Sequence, residues 1–510
     1  MEVSRRNQLT DTTFSDRGLI GSTYFKTDST ASAFQLELLP LYLLSKFNNK
    51  RPYGINDYLL IPGVGFQQYA STGVFAKWKF LTLQLQPELA FSQNSSYQGF
   101  PGTFSSSIIR DRFAVWNLGD YPERFGEKSF AKIWWGQSKL TAQLGAFEIG
   151  ASTQNIWWGP GQWNSLTFSN SAQSFPYLTF NTTKPAKTFL GTFEVQLMSG
   201  LLNTARQPPS QSDSLNIRYY RPIRDKNRYL NALMVSYSPK WIEGLHVGAT
   251  RTVHTFTDSI SSNFIDIFPV FWGITKEAIG SDLIGESDKG RSQQITIFAR
   301  YVFTKAKAEI YFEFGRRDHA LNWKEFILNP EHARAYILGF NKLVRIEQTN
   351  LLLRGEMTQQ QESINRYIRY LGLKGGSSWH TNGSIGGFTH HGQPLGVGIG
   401  TGSNVQTLEV SLVDGMDKMG IVFERLANNQ DFYYKALLQN TQRRPWIDLS
   451  LGFLYDKKFD NLLVSSKLQV IHARNYKWQL DPASSPEFPK GENLTSVMGQ
   501  VSLIYFWKKE

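Results

Sequence analysis

Hydrophobic and polar side chains alternate, with a period of two residues, along many stretches of the chain. Residues 81–92 read LTLQLQPELAFS, which puts leucine or phenylalanine on one face and mostly polar side chains on the other. The same alternation recurs at 294–303, 308–315, 446–453 and 497–507. Because successive side chains of a β-strand point to opposite sides, this pattern predicts strands with one apolar and one polar face.

Short and long connections alternate between the predicted strands. We place eighteen strands near 33–44, 69–78, 81–92, 130–136, 140–150, 177–181, 188–202, 230–239, 244–255, 292–303, 307–316, 334–343, 349–358, 404–413, 417–427, 446–456, 461–472 and 494–507. Links after even-numbered strands are tight, whereas the nine links after odd-numbered strands together hold about half of the chain. An even strand count with this asymmetry is typical of an all-β, transmembrane antiparallel β-barrel of the outer membrane. Closure also removes the sheet edges that a bilayer does not tolerate.

Membrane helices and a signal peptide are both missing from the pattern. The most apolar run, 34–44, is interrupted by Glu37 and Pro40, and a spanning helix needs roughly 18 to 20 apolar residues. The first 18 residues have no apolar core, so we expect the export signal of a Gram-negative outer-membrane protein to lie outside this numbering. We predict a periplasmic N-terminal segment at 1–32, a barrel with short periplasmic turns and long extracellular loops at 33–507, and a C-terminal tail at 508–510.

The amino-acid composition excludes some kinds of functional site and favours an acidic binding partner. The 510 residues include no cysteine, which excludes disulfides, thiolate metal sites and a cysteine nucleophile. The 54 Lys and Arg exceed the 42 Asp and Glu, giving a net charge of +12. This excess favours an acidic partner, such as nucleic acid, anionic lipid or an acidic polysaccharide. The excess is spread along the barrel and forms no recognised nucleic-acid module, so we expect no nucleic acid.

An aromatic segment stands out at 155–180, NIWWGPGQWNSLTFSNSAQSFPYLTF. Indole rings can stack on the C–H face of a sugar, and amide side chains offer paired donors and acceptors to its hydroxyl groups. The alternative is that the loop folds inward and plugs a lumen that would otherwise be an aqueous channel. The candidate sugar contacts are Trp157, Trp158, Trp163, Asn164 and Asn170.

A basic segment follows at 205–230, ARQPPSQSDSLNIRYYRPIRDKNRYL, with a local charge of +4. Arginine pairs with carboxylates through two parallel hydrogen bonds, so this loop suits a polymer of uronic acids. Two alternatives stay open: binding of lipopolysaccharide phosphates, and packing inside the lumen. The candidate contacts are Arg218, Tyr219, Tyr220, Arg221, Arg224 and Arg228.

Five of the eight histidines fall between 319 and 391. Their spacing matches no metal-binding motif, and no nucleophile elbow accompanies them. We therefore expect no metal, no other cofactor and no catalysis, but a polar network that braces the loops. Its candidate members are Asp318, His319, Glu331, His332, His380, His390, His391, Glu424 and Arg425. The glycine-rich stretch 386–404 lacks the Lys-Ser/Thr ending of a phosphate-binding loop, so it predicts no nucleotide site.

Several blocks, in conserved order, resemble the Wzi family of outer-membrane capsule-assembly proteins. They are WWGPGQWNSLTFSNSAQSFP (157–176), RPYGINDYLL (51–60), QPELAFSQN (86–94), YPERFG (121–126), FEFGRRDHALNWKEFILNPEHARAYILGF (312–340), GGFTHHGQPLGVGIGTGSN (386–404) and FERLANNQDFYY (423–434). The resemblance implies an 18-stranded barrel whose surface loops bind and tether capsular polysaccharide in a lectin-like, non-enzymatic way. Better-known relatives carry a helical segment before the barrel. Only about 32 residues precede the first strand here, so we do not expect a helical plug.

The leading hypothesis is therefore a non-enzymatic protein that anchors capsular or other surface polysaccharide during capsule assembly. Its expected partners are an acidic polysaccharide, outer-membrane lipid and lipopolysaccharide, together with other capsule-export or surface-glycan proteins. The alternatives are an outer-membrane porin or transport channel with a loop-restricted lumen, and a surface enzyme that acts on glycans.

Overall fold

The computed structural model describes residues 5–6, 8–9, 34–222, 226–272, 291–317, 330–363, 378–383, 385–438 and 442–507. In this part of the chain, antiparallel strands follow one another in sequence order around a single sheet. The first strand pairs with the second on one side and with the last on the other, which closes the barrel.

The described residues form eighteen barrel strands, three of which consist of two segments separated by a short break. The strands are β1 Phe34–Asn48, β2 Gly65–Trp78, β3 Leu81–Leu85 with Glu88–Ser92, β4 Phe130–Trp134 with Lys139–Leu144, β5 Phe147–Ser152, β6 Tyr177–Thr182 with Ala186–Lys187, β7 Gly191–Leu202, β8 Arg228–Pro239, β9 Leu245–Phe256, β10 Ser292–Phe303, β11 Ala308–Arg317, β12 Arg334–Ile346, β13 Thr349–Gln359, β14 Asn404–Asp414, β15 Asp417–Ala427, β16 Ile447–Phe459, β17 Leu462–Arg474 and β18 Leu494–Tyr505. The predicted barrel and strand number are confirmed.

The apolar face of the strands points outward and the polar face lines the lumen. On β10, Ile297 is 53% exposed on the outer surface, while its neighbour Thr296 is buried inside. On β11, Ile310 and Phe312 face outward and Glu309 and Glu313 face inward. An apolar exterior with a polar interior is the arrangement that a surrounding lipid bilayer favours.

Short turns join the strands at one end of the barrel. Residues with positive φ make the reversals, including Gly145 (φ 65°), Gly415 (φ 53°) and Lys307 (φ 48°). Such residues match the turn to the right-handed twist of the paired strands. Both ends of the barrel sequence, Phe34 and Tyr505, lie at this same end because the strand number is even.

The turn between β4 and β5 does not lie where the sequence predicted it. We expected strands at 130–136 and 140–150 with a link between them, but Lys139–Leu144 still belongs to β4 and pairs with β5 across a turn at Gly145. The polar residues 135–138 only interrupt β4. They lie beside Pro87, which cannot donate a ladder hydrogen bond and breaks β3 at the same level.

The long connections carry short helices and a small hairpin. The helices are α1 Ser106–Gly119, α2 Asp213–Tyr219, α3 Phe264–Ile267 and α4 Gln430–Phe432, the last continuing into a π-helical turn at Tyr433–Leu437. Single 3₁₀ turns occur at Thr257–Ser259, Pro269–Phe271 and Tyr476–Trp478, and the hairpin pairs Thr389–His390 with Gln393–Pro394. No helix within the described residues has the length and apolar character needed to cross a membrane.

A hydrophobic core forms among the long loops. Phe113 and Trp116 of α1, Phe432 of α4, Trp446 and Trp478 are all buried in it. The rings meet mainly edge to face, for example Phe113 and Trp116 with centroids 5.2 Å apart, a favoured geometry for aromatic pairs. Three separate long connections thus fold together into one packed unit.

The described residues of the N-terminal segment lie inside the barrel. Arg5 pairs with Glu309 at 3.4 Å and donates to the carbonyl oxygen of Pro160 at 2.5 Å. Arg6 donates to the carbonyl oxygen of Gly415 at 2.9 Å, and Leu9 packs among apolar residues of the inner wall. These residues are helical, contrary to our expectation. The inner wall offers them a carboxylate and an apolar patch, which the short length of the segment did not reveal.

Candidate functional site

The aromatic segment after β5 folds into the lumen and is held there by two glutamates. Glu313 of β11 accepts hydrogen bonds from the backbone N–H groups of Gly161 (2.8 Å) and Leu166 (2.9 Å). Glu356 of β13 accepts from three consecutive N–H groups, those of residues 162 to 164, at 2.6 to 3.2 Å. An irregular segment has few backbone partners of its own, and buried N–H groups need acceptors. The inward-facing carboxylates supply them.

Close approach to Glu313 requires a glycine at position 159. A Cβ atom there would lie 2.4 Å from the carboxylate of Glu313, and the backbone has φ of 102°. The Gly-Pro-Gly sequence thus allows the backbone to pass directly over the carboxylate.

The rings of this segment pack within the lumen. Trp158 is only 2% exposed, donates from Nε1 to Gln196 at 2.8 Å and meets Phe168 edge to face. Phe388 and Leu395, from the connection after β13, complete the same cluster. We call the two segments, 153–176 and 385–403, the plug. Of the two interpretations of the aromatic segment, the structure favours the plug.

The candidate sugar contacts in the plug have unequal exposure. Trp158 and Asn164 are fully buried, which rules out direct contact with a polymer in this arrangement of the loops. Trp157, Trp163 and Asn170 are half-buried. Trp163 lies under the guanidinium of Arg354, 4.4 Å from it.

In the described part of the basic segment between β7 and β8, the arginines exposed to solvent are Arg206, Arg218 and Arg221. Arg218 and Arg221 are exposed and follow each other closely on and after α2. Asn117 of α1 fixes them, since its side chain donates to the carbonyl oxygen of Tyr219 (3.1 Å) and accepts from the N–H of Arg221 (3.0 Å). The ring of Tyr219 also packs on Phe113, with centroids 5.6 Å apart. We call Asn117, α2 and residues 220–222 the basic platform.

Other residues of the segment have different environments. Arg228 is only 1% exposed and donates to the carbonyl oxygens of Gly387 and Thr389 in the plug, so it cannot touch an external polymer. Arg228 is the first residue of β8, which begins two residues earlier than we predicted, and its side chain faces inward. Tyr220 is half-buried and lines a cavity of about 270 Å³ together with Arg206 and Asp120. Arg224 lies outside the described residues.

The proposed loop-bracing residues are only partly brought together. His390 accepts from the N–H of Asn203 at 3.0 Å, and His391 approaches the side chain of the same asparagine. His380 is buried near Arg317, and burial followed by the charge of Arg317 lowers its pKa to about 3. Three histidines therefore lie within the plug and its surroundings as neutral side chains at neutral pH.

The remaining candidates are scattered. Glu424 accepts from the hydroxyl of Tyr53 inside the lumen, whereas Arg425 donates to Gln406 on the opposite face of the strands at 2.9 Å. Glu331 is exposed and His332 half-buried. Asp318 and His319 lie outside the described residues. Among the side chains that the structure describes, no three His, Asp or Glu are grouped so that they could hold a metal ion.

Sequence reasoning missed two sets of residues. Glu313 and Glu356 were recognisable as polar-face residues of strands, but nothing local linked them to the plug. Helix α1 was placed inside a featureless link, although Ile108, Ile109, Phe113 and Trp116 follow the helical spacing. That spacing was the available signal for the helix that supplies Asn117 to the basic platform.

Fold and site together define an outer-membrane β-barrel whose lumen is occupied by its own loops. The sequence model of the family "Capsule assembly protein Wzi" matches residues 55–462. This is about four fifths of the chain, and the chain belongs to this family. The resemblance stated from the sequence is confirmed, as is the outer-membrane location.

The fold resembles that of a solved member of the same family. This member is Wzi of Escherichia coli, which is described as an outer membrane protein involved in group 1 capsule assembly and as a carbohydrate-binding β-barrel. The two structures have a TM-score of 0.56 and 10% sequence identity, and the match covers 92% of this chain and 85% of that chain. OccAB2 of Acinetobacter baumannii has a TM-score of 0.41 at 9% identity, covering 92% and 98%. OprD of Pseudomonas aeruginosa has a TM-score of 0.40 at 6% identity, covering 93% of each chain. A search of curated protein sequences finds no match.

Proposed function

We propose that this protein is a non-enzymatic, lectin-like barrel that binds an acidic capsular or surface polysaccharide and anchors it outside the cell. Membership of the Wzi family supports a role in capsule assembly. Carbohydrate binding is the property described for the E. coli protein of similar fold. Outer-membrane lipid and lipopolysaccharide surround the barrel in this proposal, and other capsule-export or surface-glycan proteins are further partners.

The basic platform is the observation that carries the acidic specificity. Arg218 and Arg221 are exposed, and the two hydrogen bonds to Asn117 hold the backbone between them in place. A preorganised pair of guanidinium groups can take carboxylates without a large loss of conformational entropy. Because a polysaccharide repeats its carboxylates, weak single contacts add up to stable tethering of a long chain.

The plug argues against a transport channel as the main function. Five backbone N–H groups are bonded to lumenal carboxylates, and Arg5 adds a further contact from the N-terminal segment. A solute crossing this half of the barrel would have to displace those bonds. Planar-bilayer recordings test the point: a steady open-channel current through the intact protein would favour the porin alternative.

The binding experiment uses the double variant Arg218→Ala/Arg221→Ala. Two exposed charge contacts, at up to about 1 kcal/mol each, predict a loss of polymer affinity of about 5- to 30-fold at low salt. The matched control is Lys305→Ala/Arg345→Ala, which removes the same charge from exposed positions at the short-turn end. Heat-modifiable migration on gels should be unchanged in both variants.

Retention of an acidic polysaccharide is measured against a neutral polysaccharide and against lipopolysaccharide in mixed micelles. Unaltered polymer retention in the arginine variant would reject the platform as the contact surface. A selective loss of lipopolysaccharide association would instead assign these arginines to lipid phosphates.

A further inference from the structure

Between the loop core and the inner wall lies a second cavity, of about 370 Å³. Its floor is lumenal, with Glu424, Lys467 and Gln500, and its roof is formed by α1 and the turn at Tyr476–Trp478. Its volume falls within the range of small-molecule sites, about 300 to 1,000 Å³. Gly54, which lines it, is exposed to solvent, so the cavity is accessible to solvent.

Arg112 of α1 is the unusual group in this cavity. It is only 9% exposed, and its Nε and Nη1 have no hydrogen-bond partner among the described residues. Its guanidinium lies 4.5 Å from the ring of Trp116 and 5.2 Å from that of Phe432. Burial lowers the pKa of Arg112 to about 10, with Glu123 and Tyr97 opposing the shift. Arg112 is thus a buried cation at neutral pH.

The nearby carboxylate does not satisfy Arg112. Glu123 is 2.6 Å from Lys477 and also accepts from the N–H groups of Phe100 (3.0 Å) and Gln211 (3.2 Å). A buried charge that lacks a bonded counter-ion is unfavourable. A ligand that brings its own anion would remove that penalty.

Aromatic and amide side chains complete the lining. Tyr53, Tyr97, Trp163 and Trp446 supply ring surface, and Asn56 and Asn429 supply donors and acceptors. Rings cover the C–H face of a sugar and amides bond its hydroxyl groups. A bare inorganic anion would leave this apolar surface unused.

We propose that the cavity is a binding pocket for a carboxylated sugar residue, with the carboxylate on Arg112 and the sugar ring against the surrounding aromatic side chains. The inference rests on the proposed function and adds to it a site that is separate from the basic platform. The platform holds the polymer along its length, whereas the pocket takes a single unit or a chain end.

The test measures binding of a short glucuronate oligosaccharide to the intact barrel in detergent, by calorimetry and by tryptophan fluorescence. The variant is Arg112→Gln and the matched control is Arg110→Gln, an exposed arginine on the same helix. We expect at least a tenfold weaker affinity in Arg112→Gln and no change in Arg110→Gln. A neutral glucose oligosaccharide of equal length should bind at least tenfold more weakly than the acidic one to the unaltered protein. Arg112→Lys keeps the positive charge and should recover part of the affinity. Such recovery would show that the weaker binding of Arg112→Gln is not only a folding defect.

Several outcomes overturn the pocket. They are equal binding of the acidic probe by both arginine variants, equal binding of acidic and neutral probes by the unaltered protein, and inorganic phosphate binding as tightly as the oligosaccharide. The platform variant Arg218→Ala/Arg221→Ala should still bind the short probe. If the polymer is retained but the short probe is not bound, the pocket fails and the proposed function stands; if neither is bound, the proposed function itself fails.

Discussion

Removal of the Glu356 carboxylate should release the plug from the barrel wall. Glu356 accepts from three consecutive backbone N–H groups of the plug and from the hydroxyl of Tyr311 at 2.9 Å. In Glu356→Ala the three N–H groups lose their acceptor, at about 1 to 3 kcal/mol each. Water entering the vacated space will satisfy some of them, so we take the lower bound, about 3 kcal/mol. This corresponds to a rise of about two orders of magnitude in the population with an unseated plug.

Single-channel recording in planar bilayers measures that population as the frequency of open events. The matched control is Glu148→Ala. Glu148 is also a buried, inward-facing glutamate, but it accepts hydrogen bonds from Lys139, Thr141 and Asn181, which are residues of the wall rather than of the plug. We expect frequent openings in Glu356→Ala and near-silent recordings in the control. Equal opening frequencies in the two variants, with both proteins migrating as folded barrels, would refute the view that Glu356 seats the plug.

Three further predictions concern the loops. Trp158→Ala should lower the apparent melting temperature in detergent, because truncation of a buried tryptophan costs about 3 to 5 kcal/mol, whereas lipid-facing Trp135→Ala, at a position 62% exposed, should change it little. Asn117→Ala removes two hydrogen bonds from the basic platform, worth about 1 to 3 kcal/mol together, and should weaken polymer retention although no charge is lost; unchanged retention would show that the platform needs no such support. Acidification from pH 7 to 5 should destabilise the folded loops by about 2 kcal/mol through His380. The pKa of His380 is about 3 in the folded loop, whereas in the unfolded loop its imidazole takes up a proton below about pH 6.5. The contribution of neutral His380 to stability is complete above about pH 6.5 and decreases as the pH falls. The melting temperature of His380→Gln should therefore depend less on pH over this interval than that of the unaltered protein. An identical pH dependence in the two proteins would contradict this role of His380.

The local pattern of apolar and polar residues was sufficient to predict the barrel itself. Alternation such as that of Ile295, Ile297 and Ala299 against Thr296 and Arg300 requires only that neighbouring residues face lipid and lumen in turn. The long loops at one end also follow from the sequence, because the spacing between alternating stretches is visible without any knowledge of contacts. The exception was the boundary of β4, where the polar interruption 135–138 resembled a turn and the true turn lay at Gly145.

The positions of the candidate site residues could not be taken from local pattern. Arg218, Arg221 and Arg228 look alike in the sequence, yet the first two are exposed and the third is buried. The difference arises because Arg228 pairs within the sheet with Leu202 and Phe256, and its side chain points inward. An extension of the predicted strand by two residues would have been enough to reveal this.

The sequence by itself determined a closed barrel of eighteen strands with long loops at one end, because a two-residue alternation is set by each residue's immediate neighbours. Only the tertiary structure decided what fills that barrel. The carboxylates of Glu313 and Glu356 bind backbone groups 147 to 194 positions away in the chain, and backbone N–H groups are present in almost any sequence. The binding partners of the plug therefore leave no local signature, and the unpaired guanidinium of Arg112 became visible only when three distant loops were packed around it.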